Sequence, residues 1–579
     1  MVRLPRASLL LGLVSLIFSP KLNPGVTRQT SASVPSTASP AAIPPPAASS
    51  APPGHLAEAL TLYRNGDFDG AIRDYQQILQ ENPASTEAYA GLTRVYLKNK
   101  DVRQAADTIH KALQTADGPA VHVALAEVYF RQGKISAAEE EWAKVINSGH
   151  ADARAYLGLA RVRWAISNYK SGWAMIDKAH ALDPSDPEIL LDWVGKLSRA
   201  ERTQFLENYL AGANNDDEET RTAMRHYLEY IKARVKDPRS ACHLVSKDTA
   251  TETSLAKLRE DPEHLRGFGL TVEVNGRKST LQLDTGASGI LINRRLAQKA
   301  GVTRLSDVDI SGIGDKGSKK GYRALADSLK IGGLEFQNCP VEVLDQRSVV
   351  EEDGLISADV FSSFLVDLDF PNGKLRLSPL PKRPEETAAT VNLKTEEEDE
   401  SGQENESGQE NESADGDATA PKANGTKPAL WGPQDRYIAP EMQSYTKIFR
   451  FGHMLIVPTA VGDVQGKLFL LDSGADMNYI APATAREVTK VHGDPYTIVH
   501  GLSGSVKKVY RAEKAILQFG HLRQENQSLV AFDLTHMSDE VGTEISGTLG
   551  FVMLRMLDIK IDYRDGLVDF AYDPKRWGH

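Results

Sequence analysis

Residues 55–187 carry apolar and small residues at the spacing of amphipathic helices. The pattern occurs four times in succession. A small residue recurs at the same place in each unit, at Ala71, Ala105, Ala138 and Gly172, so the units have nearly equal lengths. A small residue at a fixed place lets two helices cross closely, so this segment predicts four helix pairs. Residues 188–240 continue the helical pattern without the repeat and predict capping helices.

Two later segments, 262–380 and 440–575, change to the alternating pattern of β-strands. In each segment two alternating runs flank a turn that contains glycine, Asn275-Gly276 in the first and Gln465-Gly466 in the second. A short helix, a glycine-rich hairpin, further strands, an apolar stretch and a last hairpin then follow in the same order. The shared order predicts two all-β units of similar construction.

The helical repeat, with its period of about 34 residues, resembles the tetratricopeptide repeat. The resemblance implies a solenoid, and four units are enough for such a solenoid to be stable. It also implies that the concave face of the solenoid recruits a protein partner or a substrate.

Each β segment contains one acidic triplet at the end of its second alternating run. The triplets are Asp284–Gly286 (Asp-Thr-Gly) and Asp472–Gly474 (Asp-Ser-Gly), and alanine follows each of them. The paired motif resembles the catalytic loops of retropepsin-like and pepsin-like aspartic proteases. In such a site two carboxyl groups share one proton and activate a water molecule, which is why one triplet alone is not enough.

The resemblance implies a role for each residue of the two triplets. The catalytic pair would be Asp284 and Asp472. Four residues would support this pair, two through hydroxyl groups that brace the loops and two through the close approach that glycine allows. These four are Thr285, Ser473, Gly286 and Gly474.

The resemblance also implies two flaps that bind the substrate. The flap residues would be Gly312, Ile313 and Gly314 of the hairpin 312–317, and Gly501, Leu502, Ser503 and Gly504 of the second hairpin. Asp476 takes the place of an acidic residue that helps to shape the site, whereas the first copy has Ser288 there. The first copy also has Ser357 where the second has Gly550, and we expect the extra side chain to crowd the first loop.

The predicted fold class is therefore multidomain, an all-α tetratricopeptide-repeat solenoid followed by two all-β retropepsin-like lobes that form a pseudo-dimer. The implied function is that of an aspartic endopeptidase, which hydrolyses peptide or protein substrates without a metal or other cofactor. Two alternatives stay open. The protein could be active only as an intermolecular homodimer, or the lobes could be relics in a non-catalytic peptide-binding or assembly protein. The separation of Asp284 and Asp472 discriminates between one intramolecular site and none.

Residues 1–19 have the pattern of a secretory signal peptide. Arg3 and Arg6 precede the apolar run Ala7–Phe18, which is too short to span a bilayer as a helix. Residues 20–54 are rich in proline, alanine and serine and predict a flexible linker. We therefore expect export to the periplasm or the medium, with no stable membrane span.

The formal net charge of −11 is concentrated in one segment. Residues 381–430 hold 13 acidic and 5 basic residues, and so a local net charge of −8. This segment has few apolar residues and predicts a disordered linker between the two β units. The chain has no run of lysine and arginine interleaved with aromatic residues, which argues against a nucleic-acid partner.

The chain has only two cysteines, Cys242 and Cys339. They could form a disulfide or could be two unrelated buried thiols. The Cys242-His243 pair has too few neighbouring ligands for a zinc site, so we expect no metal.

Overall fold

The computed structural model describes residues 53–237, 239, 241–259, 261–314, 317–349, 351–384 and 434–577. The predicted signal peptide, residues 20–52 of the first linker and residues 385–430 of the acidic linker lie outside these residues. Helices occupy the first part of the described chain, and strands dominate the rest. None of the described helices combines the length and the apolar character that crossing a bilayer requires.

Four successive helix pairs follow residue 52 in the described chain. They are α1 (Pro53–Arg64) with α2 (Phe68–Glu81), α3 (Thr86–Lys98) with α4 (Val102–Thr115), α5 (Pro119–Arg131) with α6 (Ile135–Asn147), and α7 (Ala153–Ala165) with α8 (Tyr169–Leu182). The side chains of Asp67 and Asp101 cap the second helix of their pairs by accepting a backbone N–H in the first turn. At Gly172 a Cβ would clash with the Trp164 ring, so α7 and α8 pack together at the repeated small position.

Three more helices complete the helical part, α9 (Pro187–Trp193), α10 (Arg199–Ala211) and α11 (Glu218–Lys236). They do more than cap the end of the solenoid. Glu188 of α9 accepts hydrogen bonds from the Tyr63 hydroxyl of α1, at 3.2 Å, and from Arg154 of α7, at 3.4 Å. Asp216, just before α11, lies 3.5 Å from Nζ of Lys98 in α3. The chain's own residues therefore cover the inner face that the first helices of the pairs form.

The first β region consists of eleven strands and one helix among the described residues. The strands are β1 (His243–Leu244), β2 (Thr251–Arg259), β3 (Leu265–Val274), β4 (Arg277–Leu283), β5 (Ile290–Asn293), β6 (Thr303–Ile310), β7 (Lys319–Ile331), β8 (Leu334–Leu344), β9 (Gly354–Ile356), β10 (Phe364–Asp369) and β11 (Lys374–Pro379); the helix is α12 (Arg294–Ala300). Strand β2 pairs with β3 and β11. The region therefore begins ahead of residue 262, the predicted start.

The second β region repeats this order with thirteen strands in the described chain. They are β12 (Thr446–Lys447), β13 (Phe449–Phe451), β14 (Met454–Val461), β15 (Val464–Asp472), β16 (Tyr479–Ile480), β17 (Val491–Asp494), β18 (Val499–Gly501), β19 (Gly504–Val506), β20 (Val509–Phe519), β21 (Leu522–Phe532), β22 (Gly547–Gly550), β23 (Leu557–Asp562) and β24 (Leu567–Tyr572). The helices are α13 (Pro482–Val488), α14 (Thr535–Val541), α15 (Phe551–Leu554) and α16 (Pro574–Trp577).

The last hairpins of the two β regions share one sheet. Its strand order is β12-β24-β23-β10-β11-β2-β3-β4-β9-β5-β8-β7-β6. Strand β10 pairs antiparallel with β23, and Val366 lies opposite Ile561. The two β regions are thus joined by main-chain pairing within a single chain.

A disulfide between Cys242 and Cys339 links the segment after α11 to β8. This pairing decides between the two possibilities that the sequence left open. Helix α11 also packs on β6, and the guanidinium of Arg323 lies over the Tyr230 ring, 5.7 Å from its centre. The helical part is therefore fastened to the first β region by a covalent bond and by packing.

Candidate active site

The two acidic triplets lie where a central strand of each β region ends. Asp284 follows β4, and Asp472 is the last residue of β15. The backbone N–H groups of Gly286 and Ala287 donate to Oδ1 of Asp284, at 2.9 and 3.1 Å. The equivalent groups of Gly474 and Ala475 donate to Oδ1 of Asp472, at 2.9 and 3.0 Å. Each loop therefore fixes one carboxyl oxygen and leaves the other available.

Four hydrogen bonds connect the two loops to each other. The Thr285 hydroxyl donates to the Leu471 carbonyl, at 2.8 Å, and accepts from the Ser473 N–H, at 2.9 Å. The Ser473 hydroxyl donates to the Leu283 carbonyl and accepts from the Thr285 N–H, both at 3.1 Å. Both hydroxyl residues are 1% exposed, so water does not compete for these bonds. The structure thus brings the two predicted braces together in the arrangement that the resemblance implied.

The loop glycines face the carboxyl group of the opposite loop. A Cβ on Gly286 would lie 2.6 Å from Cγ of Asp472, and a Cβ on Gly474 would clash with the Asp284 carboxyl group. Side chains at these positions would push the carboxyl groups away. Asp284 and Asp472 themselves are within hydrogen-bonding reach of each other.

Burial changes the ionisation of this pair. Burial raises the pKa of Asp472 well above its usual range, and the neighbouring Asp284 carboxyl raises it further. Burial also raises the pKa of Asp284, although the N–H groups of Gly286 and Ala287 oppose that shift. Two close carboxyl groups in a buried site retain one proton between them, and this is the state that acid–base catalysis by such a pair requires.

The two glycine-rich hairpins contact each other. The Ser503 N–H donates to the Ile313 carbonyl at 3.0 Å. Gly314 and Gly504 have φ values of +144° and +125°, which favour glycine, and a Cβ on Gly314 would clash with the Gly504 nitrogen. The tips of the two hairpins, one from each β region, therefore touch.

The apolar tip residues cross to the opposite β region. Leu502 of the second hairpin packs against a buried cluster of the first region, and so does Ala287. Ile313 of the first hairpin packs against a buried cluster of the second region, and so do Ala475 and Met477. Because Ala287 and Ala475 directly follow the two triplets, each tip packs on the same cluster as the loop of the other region. Gly312 and Gly501 lie at these crossings, since a Cβ on either one would meet Leu502 or Ile313.

The remaining predicted position, Asp476, lies beside the second loop. It accepts hydrogen bonds from the Met477 N–H, at 3.0 Å, and from the Tyr479 hydroxyl. In the first region, the corresponding Ser288 hydroxyl is 3.5 Å from a carboxyl oxygen of Asp359. The two loops therefore have different acidic neighbours.

Sequence reasoning missed Asp359. This residue is 3% exposed and accepts the Gly289 N–H at 2.9 Å, and burial raises its pKa to about 6. It replaces an apolar residue of the second copy, Val552, and this was the available signal. The sequence led us to expect that the neighbouring Ser357 crowds the loop, but it does not. Its hydroxyl accepts the Asp359 N–H at 3.2 Å, and its own N–H donates to the Gly289 carbonyl.

A histidine of the second region also reaches the first loop. His453 is half-buried and is hydrogen-bonded to the backbone of Gly286. Burial and the nearby Arg450 charge lower the pKa of His453 to about 4, so the ring is neutral above that pH. It follows that this contact with the Asp284 loop is a neutral one at physiological pH.

No cluster of histidine, cysteine, aspartate and glutamate that could hold a metal occurs in the described part of the chain. The described residues at this site offer a carboxyl pair, two bracing hydroxyl groups and two glycine-rich hairpins. That set is suited to the activation of water between two carboxyl groups.

Comparison with protein families gives matches in both parts of the chain. Residues 270–360 match the aspartyl protease family, and residues 62–122 and 123–187 match tetratricopeptide repeats. The resemblance to these two families, found first in the motifs, is thereby confirmed. The β-rich part carries an aspartyl protease segment, and the helical part carries the repeats.

Individual relatives are similar over limited lengths. The chain is 27% identical over 138 residues to the UBA domain-containing protein Mud1 of Schizosaccharomyces pombe, across 23% of this chain and 40% of Mud1. It is 27% identical over 135 residues to an uncharacterized protein of Mycobacterium tuberculosis, across 23% of this chain and 40% of that protein. The chain thus spans about 40% of the length of these curated relatives.

Among solved structures, a retropepsin-like aspartic protease from Rickettsia conorii is 20% identical, with a TM-score of 0.18. The comparison covers 23% of this chain and 94% of that protein.

Proposed function

We propose that this protein is an aspartic endopeptidase whose two retropepsin-like lobes form a pseudo-dimer around one intramolecular dyad, Asp284 and Asp472. The observation that carries the proposal is the set of four hydrogen bonds by which Thr285 and Ser473 connect the two triplets of one chain. Main-chain pairing of β10 with β23 supports it, because the two lobes share a sheet.

The chemistry follows from the shared proton. The ionised carboxyl group takes a proton from a water molecule as that water attacks the scissile carbonyl carbon. The protonated carboxyl group donates to the carbonyl oxygen, where negative charge develops. Closure of the segments 312–314 and 501–504 over an extended peptide would exclude bulk water during this step.

The test is the isosteric removal of each carboxyl group. Asp284→Asn and Asp472→Asn should each abolish turnover of a peptide library, and the double variant should be no worse, because the two residues act as one device. Asp463→Asn is the matched control, since Asp463 is exposed in the turn of the hairpin that leads to Asp472. Wild-type rates in both single variants would overturn the proposal.

The same variants test the two alternatives. If mixing Asp284→Asn with Asp472→Asn restores activity, the sites form between chains and the protein acts as an intermolecular homodimer. If the wild type binds peptides but cleaves none across a range of pH, the lobes belong to a non-catalytic binding protein.

We also propose that the protein is exported. The disulfide between Cys242 and Cys339 supports this, because such bonds persist in oxidising compartments. Cell fractionation and N-terminal sequencing of the mature protein test it. A reduced cytosolic protein that retains residue 1 would contradict it.

Tetratricopeptide repeats suggest protein interaction, and we propose that these repeats recruit a protein partner or substrate. Because α9 and the segment before α11 cover the inner face, the surface left for a partner is the outer one, where Leu113 and Leu182 are exposed. Replacing both with glutamate should slow the cleavage of the natural protein substrate and spare that of a short peptide. Equal rates on both substrates would contradict a recruiting role for this surface.

A further inference from the structure

The strand that leads to Asp472 is packed on both faces, and the repeats supply one of them. Phe469 and Leu471 of β15 belong to the core of the β regions, whereas the alternate residues Leu468 and Leu470 belong to a cluster with repeat residues such as Trp142. Successive side chains of a strand point to opposite faces. The catalytic strand of the second lobe therefore lies between its own core and the solenoid.

The first lobe lacks this arrangement. In β4, Leu281 and Leu283 face the core, but the alternate positions are the polar residues Thr280 and Gln282. Gln282 accepts a hydrogen bond from Arg266 of the same lobe, at 3.3 Å. The difference between Leu468/Leu470 and Thr280/Gln282 shows that support by the repeats is specific to the Asp472 strand.

The turn between α5 and α6 makes several hydrogen bonds with this lobe. Arg131 donates to the Ser538 carbonyl at 2.8 Å and pairs with the Asp539 carboxylate, while its carbonyl accepts the Glu544 N–H at 3.0 Å. The Thr543 hydroxyl donates to the Phe130 carbonyl. These contacts fix both ends of the segment 538–544 to one turn of the solenoid.

This segment leads directly into the strand behind the Asp472 loop. Ser546 donates its N–H to the Leu468 carbonyl at 2.8 Å, and β22 follows at once. Strand β22 runs parallel to β15, with Gly550 opposite Asp472. At Gly550 a Cβ would clash with the Met477 carbonyl oxygen, so a small displacement of β22 would disturb the loop.

We propose that Arg131 of the repeats is a positioning residue for Asp472, acting through the segment 538–544 and β22. The expected change in kcat rests on the proposed protease function. The repeats would help to position Asp472, in addition to recruiting a partner. An element that holds a reacting group within a fraction of an ångström can change the rate without touching the substrate.

The test uses the full-length protein and single substitutions. Arg131→Ala should lower kcat about 10- to 100-fold with KM changed less than about twofold. Asp539→Ala should have an effect at least as large, because Asp539 also pairs with Lys100 at 3.2 Å. Arg131→Lys should retain most of the activity because it keeps the charge opposite Asp539. Arg163→Ala is the matched control, since Arg163 lies in the last turn of the equivalent helix α7 but pairs with Glu139 inside the solenoid, at 2.7 Å.

Hydrogen–deuterium exchange adds a readout that does not need activity. In Arg131→Ala, amides of residues 545–552 and of the loop after Asp472 should exchange faster, while peptides around Asp284 should be unchanged. The exchange rates can be measured even if the wild type cleaves no peptide. A failure of this inference can therefore be distinguished from a failure of the proposed function. Unchanged kcat with unchanged exchange in a folded Arg131→Ala protein would overturn the proposal. A loss of activity that Arg131→Lys does not rescue, and that follows a general loss of folding, would also overturn it.

Discussion

The hydrogen bonds between the two triplet loops lead to a specific prediction for the Ser473 hydroxyl. Ser473→Ala removes the donor to the Leu283 carbonyl and the acceptor of the Thr285 N–H. A typical hydrogen bond contributes about 1 kcal/mol net, and leaving a buried amide without a partner costs about 1–3 kcal/mol. We therefore expect the free energy of unfolding to fall by about 2–4 kcal/mol. This is less than the roughly 5–15 kcal/mol that holds a domain together, so the variant should remain folded.

The effect on activity should be larger than the effect on folding. Without the Ser473 hydroxyl only the two Thr285 bonds still connect the loops, and we expect kcat to fall about 10- to 100-fold as the carboxyl groups lose their fixed geometry. Urea unfolding and initial rates on a peptide substrate measure the two effects. Ser473→Thr is the control, because Thr285 already fills the same role in the other loop. If Ser473→Ala keeps the wild-type kcat and unfolding midpoint, or if Ser473→Thr is equally damaging, the bracing argument is wrong.

Three further outcomes follow from the described contacts and from the sequence. Burial and Asp284 raise the pKa of Asp472 to about 8, so the folded protein keeps a proton that the unfolded chain releases above about pH 4. The free energy of unfolding therefore falls as the pH rises from about 4 to about 8. Asp472→Asn should therefore be more stable than the wild type at pH 7, by about 1–3 kcal/mol in urea unfolding, and no more stable at pH 3; an equal gain at both pH values would contradict this. Cys339→Ser opens a loop of 97 residues and should cost about 4–5 kcal/mol in the chain-entropy model, and adding Cys242→Ser should cost nothing further. Deleting residues 396–420 should leave folding and peptide cleavage nearly unchanged if the acidic segment is the disordered linker that its sequence predicts, since halving such a linker changes its closure free energy by only about 0.6 kcal/mol; inactivity of a folded deletion variant would show a role for the acidic segment.

The elements with a local signature were predictable from the sequence. The regular interval between small positions predicts the helix pairs, and the two triplets predict where Asp284 and Asp472 meet. Both patterns record contacts that each copy of a unit makes in the same way. The roles of these residues in catalysis remain predictions until the variants are measured.

Contacts between parts of the chain that do not repeat each other are harder to predict from the sequence. Glu188 looked like an ordinary polar residue of a capping helix, yet it is buried against Tyr63 and Arg154 on the inner face of the solenoid. Comparison of the two copies marks Asp359 as the counterpart of Val552, but this difference alone does not show that the carboxylate is buried beside the first loop. In both cases burial is decided by residues distant in the sequence, and the pattern of neighbouring residues does not reveal it.

One such contact, that of β15 with the repeats, is indicated by the sequence, and it bears on function. A strand with only one apolar face alternates apolar and polar residues, as Thr280–Leu283 does, and the polar Gln282 is buried against Arg266 of its own lobe. Leu468–Leu471 is apolar throughout, which indicates a strand that is covered on both faces. The proposed dyad needs two closely matched loops, but the chain supports one through polar contacts inside its own lobe and the other through the solenoid. A duplicated site in a single chain can therefore keep two similar loops while only one of them is coupled to an additional domain.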